Sequence, residues 1–287
     1  MSKLQVRELM PGFGAEVSGL EPAYELDDAT CRELQALLRD RELLVFRDFE
    51  IDRRFQTYLC ELLRTEGPPD PVMVDENAAR QESFYISNKL ENAAAPFGEL
   101  MFHSDAMWST VPYDILSLWG EKVEPPVTPT RFSSVTRAWE TLPDGLRKRA
   151  EGKMVEQTNQ VQVRGDNEGR LLLTQREERT TITPLGHRNP RSGRTMLYAC
   201  SMMTSKVLDV SPEESEELLT ELFEHIAEPS GVWQHEWQPN DLAIWDNLAV
   251  QHARGDVEVE GPVRTLRKSA APVVPAGVAA SQTYTMG

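Results

Sequence analysis

Apolar positions fall along this chain in short blocks whose period changes with position. Over 28–41, Cys31, Leu34, Leu37 and Leu38 recur at helical spacing behind acidic side chains, so an amphipathic helix is expected there. Phe55, Leu59, Leu62 and Leu63 repeat that pattern over 53–64 and predict a second helix. Between the two, Leu43-Leu44-Val45-Phe46 is an unbroken apolar run ending at Arg47-Asp48, as in a strand buried on both faces. Residues 12–20 read as an opening strand and turn, punctuated by Gly12, Gly14 and Gly19. The stretch 65–77 holds Pro68, Pro69, Pro71 and several acidic residues, and reads as loop.

Further on, strand-length blocks take over. Phe84-Tyr85-Ile86-Ser87, 113–119, 131–134, 171–174, 194–198, 233–237, 242–245 and 263–271 are strand candidates. Residues 90–100 read as a mobile approach to the next motif, and 184–193 as turn-rich. Short helices are expected over 137–142 and 145–152. The clearest helix start is Ser211-Pro212-Glu213-Glu214, where Ser211 can cap, Pro212 suits the first turn and Glu214 completes a capping box. Leu218, Leu219, Leu222, Phe223 and Ile226 then give it an apolar face. Helices thus cluster at the start and in one late insertion, about 211–228. The expectation is one domain over 1–287, mainly β with flanking helices, built on a sandwich or barrel core. Residues 65–102 would form a lid-like segment, and 281–287 would fray.

Composition narrows the function classes. With 40% hydrophobic residues in 287, a sizeable core can form. No run approaches the roughly 18–20 apolar residues of a membrane span. Residues 1–10 carry Lys3, Arg7 and Glu8 and no apolar stretch of the secretory kind, so no membrane partner is expected. Cys31, Cys60 and Cys200 are few, odd in number and far apart, which argues against a disulfide framework and suits a cytoplasmic location. A formal charge of −16 repels phosphate backbones, so nucleic acid is not an expected partner. Such a charge also serves plain solubility, and a homo-oligomer is compatible with it.

Candidate chemistry begins with the five histidines, His103, His187, His225, His235 and His252. His103-Ser104-Asp105 sets an imidazole and a carboxylate two positions apart, which on extended backbone face one side. His252 is the best third ligand. Two histidines and a carboxylate on one face of a metal leave open positions, the geometry that suits iron(II) oxygenases. Alone, each element of this set is weak. Asp241-Leu242-Ala243-Ile244-Trp245-Asp246-Asn247 reads as a buried strand breaking into a turn, and His252 follows five residues later. Arg264 opens the alternating stretch Arg264-Thr265-Leu266-Arg267-Lys268. If Arg264 points inward, so do Leu266 and Lys268, while Arg267 points outward. An inward arginine needs an anionic partner, which a dicarboxylate would supply. An edge-strand arginine paired with an acidic side chain is the alternative.

These blocks together resemble the TauD/TfdA family of 2-oxoglutarate-dependent dioxygenases. The resemblance runs from Gly14-Ala15-Glu16-Val17-Ser18-Gly19-Leu20 to about residue 277. It is strongest at Trp237-Gln238-Pro239-Asn240-Asp241-Leu242-Ala243-Ile244-Trp245-Asp246-Asn247 with Gln251-His252. It also covers His103-Ser104-Asp105, Asn189-Pro190-Arg191-Ser192-Gly193-Arg194 and Val210-Ser211-Pro212-Glu213-Glu214-Ser215. The resemblance implies a double-stranded β-helix (jelly roll), with Fe(II) held by His103, Asp105 and His252. It further implies 2-oxoglutarate and O2 as cosubstrates, with Arg264 on the far carboxylate and Thr130 beside it. Succinate and carbon dioxide would be coproducts of oxidising a C–H bond in a small molecule, hydroxylation being the default. Desaturation, cyclisation, oxidative cleavage and a non-catalytic metal- or metabolite-binding barrel are the alternatives.

The departures bear on substrate. Taurine-cleaving members carry an arginine four positions after the cosubstrate arginine, where this chain has Lys268, a point charge in place of a fork. Their substrate-holding histidine and tyrosine are unmatched in Asp70-Pro71-Val72-Met73, so taurine is not expected. Halogenating relatives lack the carboxylate ligand, but Asp105 is present, so halogenation is not expected. Asn88, Phe102 and Trp108 are candidate substrate contacts, with core packing the alternative for the two aromatics. Lys268 would favour an anionic substrate, unless it is spent on a salt bridge.

Overall fold

The computed structural model describes residues 4–64, 68–81, 84–91, 93–160, 162 and 178–273. The first half runs β1 (Gln5–Met10), β2 (Phe13–Ser18), α1 (Asp28–Arg41), β3 (Leu43–Phe46), α2 (Arg53–Arg64), α3 (Pro71–Arg80), β4 (Tyr85–Ser87), β5 (Leu100–His103), β6 (Ile115–Val123) and β7 (Thr130–Ser134). Next come α4 (Val135–Glu140), α5 (Asp144–Ala150), β8 (Met154–Thr158), β9 (Thr180–Pro184), β10 (Gly186–Arg188), β11 (Thr195–Leu197) and β12 (Thr204–Val207). The chain closes with α6 (Pro212–Ile226), β13 (Val232–His235), β14 (Leu242–Asp246), β15 (Val250–Arg254) and β16 (Arg264–Ala271).

A seven-stranded sheet, in the order β1-β2-β3-β14-β6-β16-β4, is complemented by a four-stranded sheet, β13-β7-β15-β5. Only β2 and β3 pair in parallel within these two sheets. This is the double-stranded β-helix, mainly β with flanking helices. Its central strands are covered twice. Leu43, Val45, Leu116, Leu118, Ala243, Trp245 and Leu266 join Phe132 and Val250 of the smaller sheet in one core. The alternate positions Leu44, Phe46, Ile115, Trp119, Leu242 and Ile244 meet Leu34 and Leu38 of α1 and Phe55, Leu59 and Leu62 of α2 in a second. Burial on both faces explains why Leu43–Phe46 and Leu242–Trp245 read as continuous apolar runs. Among the described residues no helix is long and apolar enough to cross a membrane.

Helices at 28–41 and 53–64 form where periodicity places them. Asp27 caps α1 by accepting from the backbone of Ala29 and Thr30, each at 3.0 Å. Ser211 caps α6 through the Glu214 amide at 3.2 Å. The loop expected over 65–77 is corrected: α3 occupies Pro71–Arg80. Pro71 sits in the first turn, where its missing N–H costs nothing, and Asp70 accepts from Val72 N at 2.9 Å. The prolines that read as breakers there are a helix start. Strands β1, β8, β9, β10, β12 and β15 also lie outside the stretches that read as strands, β10 falling within the turn-rich stretch and β15 carrying His252. They are short, and β1, β9 and β10 are largely exposed, so no regular alternation of apolar side chains marks them in the sequence. The strand expected at 171–174 and the fraying of 281–287 lie outside the described residues.

One buried acid ties these layers together. Glu42, at φ 65° between α1 and β3, accepts from Ser134 Oγ at 2.6 Å and Arg194 Nη1 at 3.3 Å. Burial pushes its carboxyl from the ordinary 4.5 up to about 7, against Ser134 and Arg194, which favour the ion. A raised acid binds its proton more tightly folded than unfolded, so stability should fall as pH rises from about 4.5 to 7. The loss is roughly 3 kcal/mol for such a shift. Thermal melts of Glu42→Gln across that range should show most of this slope removed; an unchanged slope would assign it elsewhere.

Candidate active site

The cavity between the two sheets is lined by Ile86, Ala94, Ala95, Leu100, Leu118 and Trp245, with His103, Asp105, Thr130, His252, Arg254, Arg264 and Lys268 supplying the polar groups. His103 ends β5 and pairs directly with His252 on β15. The next pairing is Leu100 with Arg254, so two residues of β5 oppose the single Ala253. This bulge lets Leu100 and His103, three apart, both face the cavity. Phe102, next to His103 on the strand, faces away from the cavity as alternation requires, and the Arg131 guanidinium lies 5.6 Å over its ring.

Asp105 is not on the strand. The sequence placed it on extended backbone with His103, but β5 stops at His103 and Asp105 lies in the following turn, before Ala106 at φ 56°. Asn247 holds that turn. Its Oδ1 accepts from Asp105 N at 3.0 Å, and its Nδ2 donates to the carbonyls of Asp105 and Tyr113 at 3.0 and 2.9 Å. Asp246, beside it, accepts from Asn189 Nδ2 at 3.0 Å and Arg191 Nη1 at 2.8 Å. The Asp246-Asn247 pair thus connects three sequence blocks, a positioning role that their order alone did not reveal. Asparagine following a buried strand was the available signal.

One ligand atom each from His103, Asp105 and His252 lies within 4.8 Å of the others. The imidazoles are 4.3 Å apart, and His103 Nε2 is 3.3 Å from Asp105 Oδ1. His103 Nδ1 lies 2.7 Å from the Met101 carbonyl, and donating there leaves the Nε2 lone pair free toward Asp105. Burial, then the nearby His103 and Lys268, holds His252 well below the ordinary histidine range, so it is neutral and able to ligate. Burial alone would raise Asp105, but the Lys268 ammonium outweighs it and holds the carboxyl well below the usual range. Two imidazole nitrogens and an ionised oxygen fit a divalent transition ion.

At the other end of the cavity Arg264 is 2% exposed, and no acidic side chain among the described residues pairs with it. It donates to the Thr128 carbonyl at 2.9 Å and Thr130 Oγ1 at 3.1 Å, and Trp237 Nε1 donates to the same hydroxyl at 2.9 Å. Burial and the neighbouring Arg254 push its guanidinium down to about 9. A buried cation that lacks an anion is a seat for one.

Within residues 5–269 the chain matches the family model described as taurine catabolism dioxygenase TauD, TfdA family. This chain belongs to the TauD/TfdA family. Among its relatives, the pentalenolactone F synthase of Streptomyces arenae is 27% identical over 269 residues, covering 85% of this chain and 88% of that one. The (S)-phenoxypropionate/alpha-ketoglutarate-dioxygenase of Sphingobium herbicidovorans is 26% identical over 254 residues, covering 84% and 85%. In fold, a taurine dioxygenase from Burkholderia xenovorans superposes with TM-score 0.72 at 22% identity, covering 94% of this chain and 90% of that one. AAD-2 in complex with Mn(II) and N-oxalylglycine gives 0.71 at 23% identity, covering 96% and 100%.

The TauD/TfdA family accounts for the enzyme class, a 2-oxoglutarate-dependent non-haem iron dioxygenase, but several residues singled out for substrate lie elsewhere. Asn88 is committed to structure: it donates to the carbonyls of Glu258 and Pro262 at 3.1 and 2.9 Å and accepts from Arg264 N at 3.0 Å. It therefore anchors the Arg264 backbone. Phe102 and Trp108 are buried but off the cavity lining. Lys268 does reach the cavity, and there it pairs with Asp105. Arg267 points the other way, as the strand period requires, yet it is buried beneath α2 against Gln56 Oε1 at 2.8 Å. The remaining histidines are off the cavity lining; His225, for example, lies 3.0 Å from the Ala138 carbonyl.

Proposed function

We propose that this dioxygenase oxidises a C–H bond of a small molecule, hydroxylation being the default outcome. His103, Asp105 and His252 would hold Fe(II), and Arg264 with Thr130 would anchor the far carboxylate of 2-oxoglutarate. The observation that carries the reading is the pairing, in one cavity, of a His-Asp-His cluster with a buried arginine lacking an acid. Iron bound there supplies activation of dioxygen coupled to oxidative decarboxylation of the keto acid, giving succinate and carbon dioxide. The protein positions and excludes. Asn247 fixes the Asp105 turn, Thr130 orients the guanidinium, and Ile86, Ala94, Ala95, Leu100 and Leu118 wall out water.

Ala94 and Ala95 support the lid-like reading, since they line the cavity on a segment tied down by backbone hydrogen bonds. Ala94 N donates to the Tyr85 carbonyl at 2.8 Å and Gly98 N to the Val257 carbonyl at 3.1 Å. An anionic substituent on the substrate would have to meet Lys268, which lines the cavity and is already paired with Asp105 there. The one-domain reading over the whole chain rests on a family match that spans both sheets.

Succinate formation from purified protein should require both Fe(II) and 2-oxoglutarate. None above a metal-free blank would refute the proposal. With a turned-over substrate, a mass gain of one oxygen indicates hydroxylation, and loss of two hydrogens indicates desaturation.

A further inference from the structure

Lys268 sits in the middle of β16, its amide fixed to the Phe84 carbonyl at 2.8 Å. Its side chain is buried, and Asp105 Oδ2 is the acceptor for its ammonium among the described residues. The rings of Phe84 and Tyr113 flank the nitrogen, each with its centroid 5.6 Å away. This aromatic cradle favours a cation and offers no competing carboxylate. Asp105 is therefore divided: Oδ2 is held by Lys268, and Oδ1 faces His103 Nε2 at 3.3 Å.

We propose that Lys268 is a positioning residue for the metal, acting through Asp105. Resting on the His103-Asp105-His252 reading above, it goes further by dividing the work between the two carboxylate oxygens. Lys268 keeps Oδ2 occupied, so the carboxylate offers a single oxygen to the ion and leaves more of the coordination sphere for cosubstrate and dioxygen. The same ammonium, one carboxylate away from a dication in a buried site, repels it. Lys268 thus lowers metal affinity in exchange for a fixed ligand geometry. A lysine that served only as a substrate anchor, or only as packing, would not set metal affinity in this direction.

The test is an Mn(II) titration of the metal-free protein without cosubstrate, with free Mn(II) read by electron paramagnetic resonance. K268M removes charge and donor, and K268Q removes charge while keeping a donor. Both should bind Mn(II) at least about tenfold more tightly than wild type, as follows from removing a buried like charge. K268R, which keeps the charge, should stay within about threefold of wild type. Should K268M fail to fold, K268Q carries the comparison. Binding by K268Q or folded K268M that is no tighter than wild type overturns the proposal. His252→Ala is titrated alongside: wild-type affinity in that variant would mean the three-residue site itself is misassigned, a different failure from an unmoved K268Q.

Discussion

Replacing His252 with alanine should cut iron-dependent succinate formation by at least about a thousandfold while leaving the melting temperature within a few degrees of wild type. The two ends of that expectation have separate causes. On the proposed assignment His252 supplies one of three donors, and an ion held by two has neither the affinity nor the fixed open face that the reaction needs. Its neutral imidazole, in contrast, leaves only a small cavity when removed. Asp105→Ala should lose activity as fully but behave differently as a protein. It strands the Lys268 ammonium in a buried site, and breaking a buried pair by deleting one partner costs about 3–5 kcal/mol. Measured side by side, the two variants should share a dead active site and differ in stability. A fully active His252→Ala protein would remove the metal assignment. Equal melting temperatures would mean Lys268 finds another partner.

The second large effect belongs to Arg264. Truncation to alanine should raise the 2-oxoglutarate concentration for half-maximal turnover by about a hundredfold or more, the ~3 kcal/mol typical of a buried charged hydrogen-bond partner. Arg267→Ala is the control from the same strand. Arg267 donates to Gln56 Oε1 and the Ile51 carbonyl, both at 2.8 Å, and stacks 4.1 Å over Trp119, all outside the barrel. Its loss should lower the melting temperature and change the cosubstrate requirement by no more than about twofold. Similar kinetic effects in both would mean that the strand does not present its residues as the alternation demands.

That alternation was legible in the chain because it is a property of strands as such, independent of what covers them. So were the fold class and the grouping of His103, Asp105 and His252 in one cavity with a buried Arg264, since these travel with contiguous blocks. What could not be read depended on tertiary cover or local geometry. Arg267 was placed outward, but its burial beneath α2 required knowing that α2 lies across β16. Asp105 was found by type and spacing, yet it is delivered by a turn clamped from Asn247, 142 positions away. Phe102 adjoins His103 on β5 and so faces the other side of the strand, whereas Leu100 reaches the cavity through a bulge that no side-chain pattern announces. Asn88 was chosen for its place in the chain, and its amide is spent on backbone carbonyls. Helix α3 was missed because proline was weighed as a breaker with no regard to its position within a turn.

The order of the large sheet has a consequence for biosynthesis. β3 and β6 are joined only through β14, and β6 and β4 only through β16, so late-translated strands fill the gaps between early ones. As the nascent polypeptide leaves the ribosome, its first half has strand edges without neighbours and cannot close on its own. Only when β14 to β16 have emerged can the sheet complete, and His252 arrives with them. On the proposed assignment, iron capture would thereby be deferred until synthesis is nearly finished, sparing a half-made chain from carrying a redox-active ion.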